Sequence, residues 1–335
     1  MANKKKKKVS RLPKKKELPD IEPAEYDYHL PVMLEETLGY LLQDLNGIYV
    51  DGTLGGGGHT GEILNRLGET GQIFAFDKDE QAIAHCEKKF RGELQLGSAS
   101  RLKLHHLSFE KACGIEEIQG RTNGILLDLG LSSRQLDESR RGFSFRINSP
   151  LDMRFGAEGQ SAEEILNHAN EEDLERILRI YGEEPYARLI ARRITQQRRA
   201  FPLKTTYHLR GAVEETVPEK LRFKSLARVF QALRIAVNSE LDVLENTLKN
   251  SVRILAPGGR IVVMSYHSLE DRIVKTIFRE FAKPKIKELP NDNSIQAKPV
   301  PVLKIITPKP ILPTDEELAR NPRSRSAKTR VAEKL

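Results

Sequence analysis

The chain has 335 residues, 39% apolar and 30% charged, which suits a soluble globular protein with a sizeable core and excludes a fibrous or disordered one. No apolar run approaches the roughly 20 residues that span a bilayer. The start lacks the apolar stretch of a secretory signal, and its lysines with proline do not resemble an Arg/Ser-rich transit peptide. Two cysteines, Cys86 and Cys113, show neither CxxC spacing nor a disulfide framework, so a reduced, cytoplasmic setting is expected and a metal site is not.

The net charge of +8 is concentrated at one end. Of 55 basic residues nine fall in residues 1–16, with no acid among them, and the 46 that remain nearly balance 47 acids. Overall charge is therefore weak evidence for a nucleic-acid-binding fold. Residues 1–25 read as a disordered basic arm, either a solvated tail or one that touches RNA phosphate or serves as an address.

Order begins near Tyr26. Pro31 suits the first turn of a short helix carrying Val32, Met33, Leu34, Leu38, Leu41 and Leu42. Strands are expected at 48–51, 72–76, 102–106 and 124–129, with helices at 59–67 and 80–90 between the first three. Short apolar strands separated by helices imply parallel pairing in a doubly wound α/β sheet. The rhythm then breaks. Residues 138–237 carry helical periodicity, as in Leu174, Ile177, Leu178 and in Leu226, Val229, Phe230, Leu233, and contain no convincing strand. We expect a helical insertion over 138–237, flanked by the two halves of one α/β domain at 26–137 and 238–335. The second half begins with a helix at 240–255, turns at Pro257, Gly258 and Gly259, and continues with a strand at 260–265 and a helix at 269–281. Residues 302–307 suit an edge strand, and no internal repeat is visible.

The first strand runs into DGTLGGGGHTG, residues 51–61. Gly56, Gly58 and Gly61 fit G-x-G-x-x-G, so a dinucleotide is one candidate ligand. Its pyrophosphate needs a loop free of negative charge, whereas Asp51 stands beside the glycines. An acid there suits a ligand with cationic groups and no phosphate. S-adenosylmethionine, with an ammonium and a sulfonium, is such a ligand, and Asp51 is the expected ammonium partner. Asp77, closing the second strand in FAFDKD, suits ribose hydroxyls in either class.

Asp128 follows Ile125, Leu126 and Leu127 at the carboxyl end of the fourth strand, where ligands of open α/β sheets gather. Phe109 is a candidate for the adenine face or for the core. The polar-Pro-Pro-aromatic motif common in amino-group methyltransferases is missing after this strand, which reads Asp128, Leu129, Gly130, Leu131. An aromatic surface is sought instead in RGFSFRINSPLDMRF, where Phe143, Phe145 and Phe155 alternate with Arg141, Arg146 and Arg154, a pattern that suits an unstacked base and its phosphates or a hydrophobic hairpin with solvated arginines.

Taken together, VDGTLGGGGHT, LLDLGLSSRQLD, RGFSFRINSPLDMRF, VNSELD, LAPGGR, SYHSLEDRIVK and NPRSRSAKTR resemble the bacterial small-subunit ribosomal RNA cytosine-N4 methyltransferase family (MraW/RsmH), over residues 29–330. The resemblance implies a Rossmann-like class I S-adenosylmethionine-dependent methyltransferase sheet with an inserted all-helical substrate domain. It implies cofactor contacts at Gly57, Gly58, His59, Asp77, Phe109, Asp128 and Gln135, and a cytosine of the ribosomal decoding region as target. The partner is then small-subunit ribosomal RNA, within a ribosomal particle, and no membrane.

Cytosine N4 is a poor nucleophile, so a carboxylate is expected to accept its proton; Asp128 and Asp152 are the candidates. Ser268-x-x-Asp271 matches a helix capping box, and His267 beside it is either a base contact or an ordinary hydrogen-bonded histidine. From Pro185 to Val213 there is no acid, while Arg188, Arg192, Arg193, Arg198, Arg199, Lys204 and Arg210 fall in that window. Together with Arg154, the residues Arg192, Arg193, Arg198 and Arg199 are the expected RNA contacts, and Lys220, Arg222, Lys224 and Arg228 around Phe223 form a second basic run. Two rival functions remain at this point, a nicotinamide-dependent oxidoreductase and a non-catalytic ribosome assembly factor.

Overall fold

A computed structural model describes residues 31–130, 141–284 and 300–335. The basic arm and Gln135 lie outside these described residues.

Helix α1 (Leu34–Leu41) precedes β1 (Ile48–Asp51), α2 (Gly58–Arg66), β2 (Gln72–Asp77), α3 (Glu80–Lys89), β3 (Leu102–His106) and β4 (Thr122–Asp128). Among the described residues five α-helices follow: α4 (Ala162–His168), α5 (Glu171–Gly182), α6 (Ala187–Ala200), α7 (Thr206–Glu214) and α8 (Arg222–Asn238). Then come α9 (Glu240–Ile254), β5 (Leu255–Ser265), α10 (Ser268–Ala282), β6 (Leu303–Ile305), α11 (Asp315–Arg320) and β7 (Lys328–Lys334). The seven strands form one sheet in the order β3-β2-β1-β4-β5-β7-β6, parallel from β3 to β5, with β7 antiparallel to both β5 and β6. This is the Rossmann-like α/β sheet expected from the alternating strands and helices.

Alternate strand residues feed opposite cores, as the pleat requires. Val50, Phe74, Phe76, Ile125, Leu127, Ile261 and Val263 pack with Leu244 and Leu248 of α9 and Ile277 and Phe278 of α10. Tyr49, Ile73, Ala75, Leu126, Val262 and Met264 pack on the other side with Leu38, Leu41, Ile63 and Ile83 of α1–α3. Among the described residues 141–238 hold a third core, with Leu174, Leu178, Ile190, Ile194, Val229, Phe230 and Leu233 at its centre, and no sheet strand contributes to it. Capping fixes where its helices begin. Ser161 and Glu164 make a reciprocal capping box on α4, and Asn170 caps α5.

Some elements differ from the sequence expectation. The first helix starts at Leu34 rather than at Pro31, because Met33 takes a left-handed conformation (φ 50°) that buries its side chain completely while its N–H bonds Glu317 Oε1 at 3.0 Å. The turn expected at residues 257–259 is drawn into β5, and the edge strand shortens to Leu303–Ile305. Strand β7 has no counterpart in the sequence reading. Its charged side chains hid it: Arg330 is 7% exposed and pairs with Asp271 of α10 (2.6 and 3.2 Å), while Glu333 takes Arg260 across the β5 pairing at 2.9 Å. Once neutralised by distant partners, these residues fit a central strand.

Candidate active site

Three carboxylates stand at the carboxyl ends of neighbouring parallel strands: Asp51 on β1, Asp77 on β2 and Asp128 on β4. The order of strands reverses between β1 and β4, which opens a crevice at those ends. The glycine loop after β1 is stitched to both neighbours, Gly52 N to Leu126 O and Leu54 N to Phe76 O, each at 2.9 Å. Gly57 has φ 67°, and a Cβ there would lie 2.7 Å from the Phe90 ring and 2.9 Å from Cys86 Sγ, so the loop's path needs glycine. Lys89 Nζ bonds the carbonyls of Gly56 (2.9 Å) and Gly57 (3.0 Å) and is committed to holding that loop. Helix α2 opens at Gly58 with no acid in its first turn.

Each carboxylate has a different task. Asp51 is 1% exposed; Oδ1 accepts from Thr53 N at 3.0 Å and Oδ2 from Thr60 Oγ1 at 2.7 Å. It therefore caps the glycine turn from beneath, and burial raises its pKa. Asp77 Oδ2 accepts from Gly55 N and Oδ1 from Asp79 N, both at 2.8 Å, which leaves a lone pair on each oxygen. Burial pushes its carboxyl up to about 6 against the pull of those two donors. Asp128 Oδ1 accepts the Tyr266 hydroxyl at 2.7 Å, its N–H donates to Thr53 Oγ1 at 2.7 Å, and His59 Nδ1 lies 3.7 Å from Oδ2. Burial pushes Asp128 up to about 7, although the Tyr266 hydrogen bond lowers it.

The stretch SYHSLED ties this crevice to the rest of the chain. Tyr266 reaches Asp128, and Tyr266 N and His267 N both donate to Glu270 Oε2 (2.8 and 3.3 Å). The capping box is one residue earlier than expected, with His267 at the N-cap and Glu270 at its third position, and His267 is thereby an ordinary capping residue. Ser268 Oγ donates to Glu183 Oε2 at 2.8 Å, at the end of α5. Arg234 of α8 holds Glu240 bidentately at 2.8 and 2.9 Å, and its charge also reaches Glu270.

Other expected site residues fall elsewhere. Phe109 is 7% exposed with its edge against Phe76 at 5.7 Å, so only a narrow strip of ring is accessible. Phe143 stacks on Phe155 at 5.8 Å, and Phe145 meets Phe223 and Phe230; Phe143 belongs to the helical core with Phe145 and Phe155 packed against it, while Phe223 is 61% exposed. Arg141 is a strap to the sheet, bidentate to Asp79 at 2.9 and 3.0 Å. Asp152 is bound by Arg154 Nε at 2.6 Å, and Arg154 also donates to the carbonyls of Ala157 and Gly159. Asp152 and Arg154 are thus paired with each other, with the two side chains 33% and 28% exposed. Asn238 of VNSELD pins the same stretch by bonding Phe155 N and Met153 O, both at 2.8 Å.

The arginines of α6 divide by face. Arg198 donates to Leu166 O (2.8 Å) and Ala169 O (2.7 Å) at the end of α4, and Arg193 pairs with Glu215. Arg188, Arg192 and Arg199 are exposed and, among the described residues, have no ion pair. Spacings of four and seven residues put them on one face.

A family profile matches residues 27–335, described as the MraW methylase family. The chain belongs to the MraW methylase family. It is 45% identical over 322 residues to Ribosomal RNA small subunit methyltransferase H of Hydrogenovibrio crunogenus, covering 94% of this chain and 99% of that protein. It is 43% identical over 314 residues to the protein of the same name from Heliobacterium modesticaldum, with 92% and 99% covered. A solved Streptococcus mutans methyltransferase in complex with SAH aligns at 14% identity and a TM-score of 0.40, over 90% of this chain and 97% of that one. Membership makes the protein a methyltransferase with S-adenosylmethionine as cofactor and sets the oxidoreductase reading aside. The crevice agrees with that: three carboxylates ring the glycine loop, and the nearby Lys89 is committed to the loop's own carbonyls, a poor reception for a pyrophosphate and a fitting one for a sulfonium.

Tyr266 is the residue of this crevice that sequence reasoning did not single out. It lies 138 positions from Asp128, and only its place directly after a strand marked it.

Proposed function

We propose that this methyltransferase modifies the exocyclic N4 of a cytosine in small-subunit ribosomal RNA, in the decoding region, with Asp128 as the proton-accepting catalytic residue and the helices over 138–237 as a substrate domain. The observation that carries the reading is Asp128 itself, a carboxylate at the mouth of the crevice, oriented by Tyr266 and raised to about 7. A group that titrates near neutrality is suited to take a proton from a weak nucleophile at physiological pH. The small-subunit ribosomal RNA named for the close relatives supports the substrate class, and the exposed stripe Arg188, Arg192 and Arg199 supplies a surface for its phosphates.

S-adenosylmethionine, when bound, supplies an electrophilic methyl group. The glycine loop would receive its methionine portion, Asp77 its ribose hydroxyls through the lone pairs left free, and the accessible strip of Phe109 its adenine. Gln135 stays in this set on the resemblance alone. Asp128 would accept hydrogen bonds from the amino group, which orients the nitrogen lone pair and prepares the proton to leave.

The test is product analysis. Purified protein with S-adenosylmethionine and small-subunit RNA, offered naked and as assembled particles, is expected to yield N4-methylcytidine by nuclease digestion and mass spectrometry. Methylation confined to another atom, or absent from both substrates, would reject the reading, and absence would favour an assembly factor. A second expectation concerns Asp77. Ribose hydroxyls donate to its ionised form, so affinity for SAH is expected to fall as pH drops through about 6. Calorimetry at pH 7.5 and pH 5 is expected to differ by about tenfold in Kd, since one pH unit below the pKa leaves about a tenth of the group ionised.

A further inference from the structure

Two side chains from distant parts of the chain, His59 and Tyr266, meet around the Asp128 carboxylate, and their hydrogen-bond roles are not free. His59 Nε2 lies 3.2 Å from the Val32 carbonyl, which can only accept. In the neutral ring the hydrogen is therefore on Nε2, and Nδ1 is a bare lone pair. That lone pair faces Asp128 Oδ2 at 3.7 Å. The other oxygen, Oδ1, is held by the Tyr266 hydroxyl at 2.7 Å, so Tyr266 does not supply a proton to the gap. When Asp128 is ionised and His59 neutral, two lone pairs oppose each other in a buried place. One proton between them removes the conflict, and a closure of about 0.5–0.9 Å would make it a hydrogen bond.

We propose that Asp128 Oδ2 and His59 Nδ1 form a single proton site, empty before methyl transfer and filled by the proton that leaves cytosine N4, with Tyr266 as its positioning residue. The proposal rests on the N4 reading above and adds where the proton goes and what holds the acceptor. N4 starts with two hydrogens and keeps one. As the new N–C bond forms from the nitrogen lone pair, the bond from the methyl carbon to sulfur breaks with its electrons left on sulfur, and one N–H bond breaks with its electrons left on nitrogen. The proton binds Asp128 and is shared with His59 Nδ1, so the pair gains one positive charge and nothing is oxidised or reduced.

The surroundings favour a proton at this place. Asp51, from β1, faces His59 and favours its charged form, Asp128 in turn raises Asp51, and Glu270, from α10, turns negative charge towards Asp128. Burial raises the pKa of Asp128 and opposes an imidazolium at His59, whose pKa is lowered, so a proton in the gap is held on the carboxylate while Nδ1 is left to accept from it. Tyr266, itself raised well above the usual phenol by burial and by Asp128, stays protonated and keeps donating; Glu270 and Glu317 face it. His267 and Arg234 face Glu270 and hold it ionised.

The decisive experiment is ring-nitrogen NMR of ¹⁵N-histidine-labelled full chain without RNA or cofactor, with His59 assigned through His59→Gln. The Nε2–H tautomer is expected at high pH. A titration step near neutrality is expected, and Asp128→Asn should abolish it or move it by more than about one pH unit, because the Asn amide can donate to Nδ1 without a titrating proton. An Nδ1–H tautomer, or a step indifferent to Asp128→Asn, would overturn the shared site. For Tyr266→Phe, single-turnover methyl transfer should lose activity on the acid side, with the midpoint moved up by about one pH unit and the plateau kept within about tenfold, since the lost hydrogen bond favoured the ionised carboxylate. A midpoint that stays put would remove Tyr266 from the proposal. Failure of the wild-type chain to make N4-methylcytidine would sink the functional reading, and with it the origin of the proton, while the NMR titration would still decide the proton site.

Discussion

Asp128→Asn is expected to abolish methyl transfer and, at the same time, to stabilise the protein at pH 8. The loss follows from the role proposed for the carboxylate: removing a positioned general base typically costs 10²–10⁴-fold in rate. The gain follows from burial. Asp128 titrates at about 7 in the fold against about 4 in an unfolded chain, so above pH 7 the fold carries an ionised group in a place that disfavours it. The sign is fixed by the direction of that shift. Between about pH 4 and pH 7 the native state binds the extra proton, so the contribution of Asp128 to stability falls as pH rises through that window and is flat above it. Asparagine keeps an oxygen for the Tyr266 hydroxyl and presents an N–H to the bare Nδ1 of His59, without charge. Allowing for partial exposure of the side chain, 24%, the gain is expected to be about 1–3 kcal/mol at pH 8 and smaller at pH 5. Urea unfolding at the two pH values measures it. A variant that is inactive and also less stable at pH 8 would show that Asp128 holds the fold together rather than bearing a cost for function.

The second large effect belongs to α6. Replacing Arg188, Arg192 and Arg199 together by Gln is expected to weaken RNA binding by about 10–100-fold at physiological salt and to reduce the slope of log affinity against log salt by about 2, at about 0.7 per phosphate contact on single strands. Stability should change little, since these side chains are exposed and lack ion pairs among the described residues. Arg198→Gln is the contrasting control. It removes the donor to Leu166 O and Ala169 O at the end of α4, so it should lower stability while leaving the salt slope unchanged. Filter binding across 50–300 mM salt, with thermal unfolding of the same proteins, separates the two. Equal slopes for the triple variant and the wild-type chain would reject α6 as the phosphate surface.

Much of this was legible in the residues because its physics is local. Apolar runs bounded by glycine marked β1 to β5, the helical repeat marked α5 to α8, and a carboxylate at a strand end announced itself wherever the strand did. The crevice at Asp51, Asp77 and Asp128 could therefore be placed before any coordinates. What each carboxylate does could not. Whether an oxygen is free, capped or paired depends on Thr60, Gly55 and Tyr266, which lie 9, 22 and 138 positions away from their partners. The same holds for charge. Arg192, Arg193, Arg198 and Arg199 look alike in sequence, yet helix geometry turns one pair to solvent and the other to Glu215 and the α4 carbonyls. Strand β7 was invisible for the same reason, because Arg330 and Glu333 are compatible with a buried strand only when Asp271 and Arg260 stand opposite them. Sequence alone determined the class of fold, the glycine loop and the acids around it, since periodicity and backbone freedom are properties of neighbouring residues. Tertiary structure alone decided which of those groups are available for chemistry, since availability is set by partners that the chain brings in from far away.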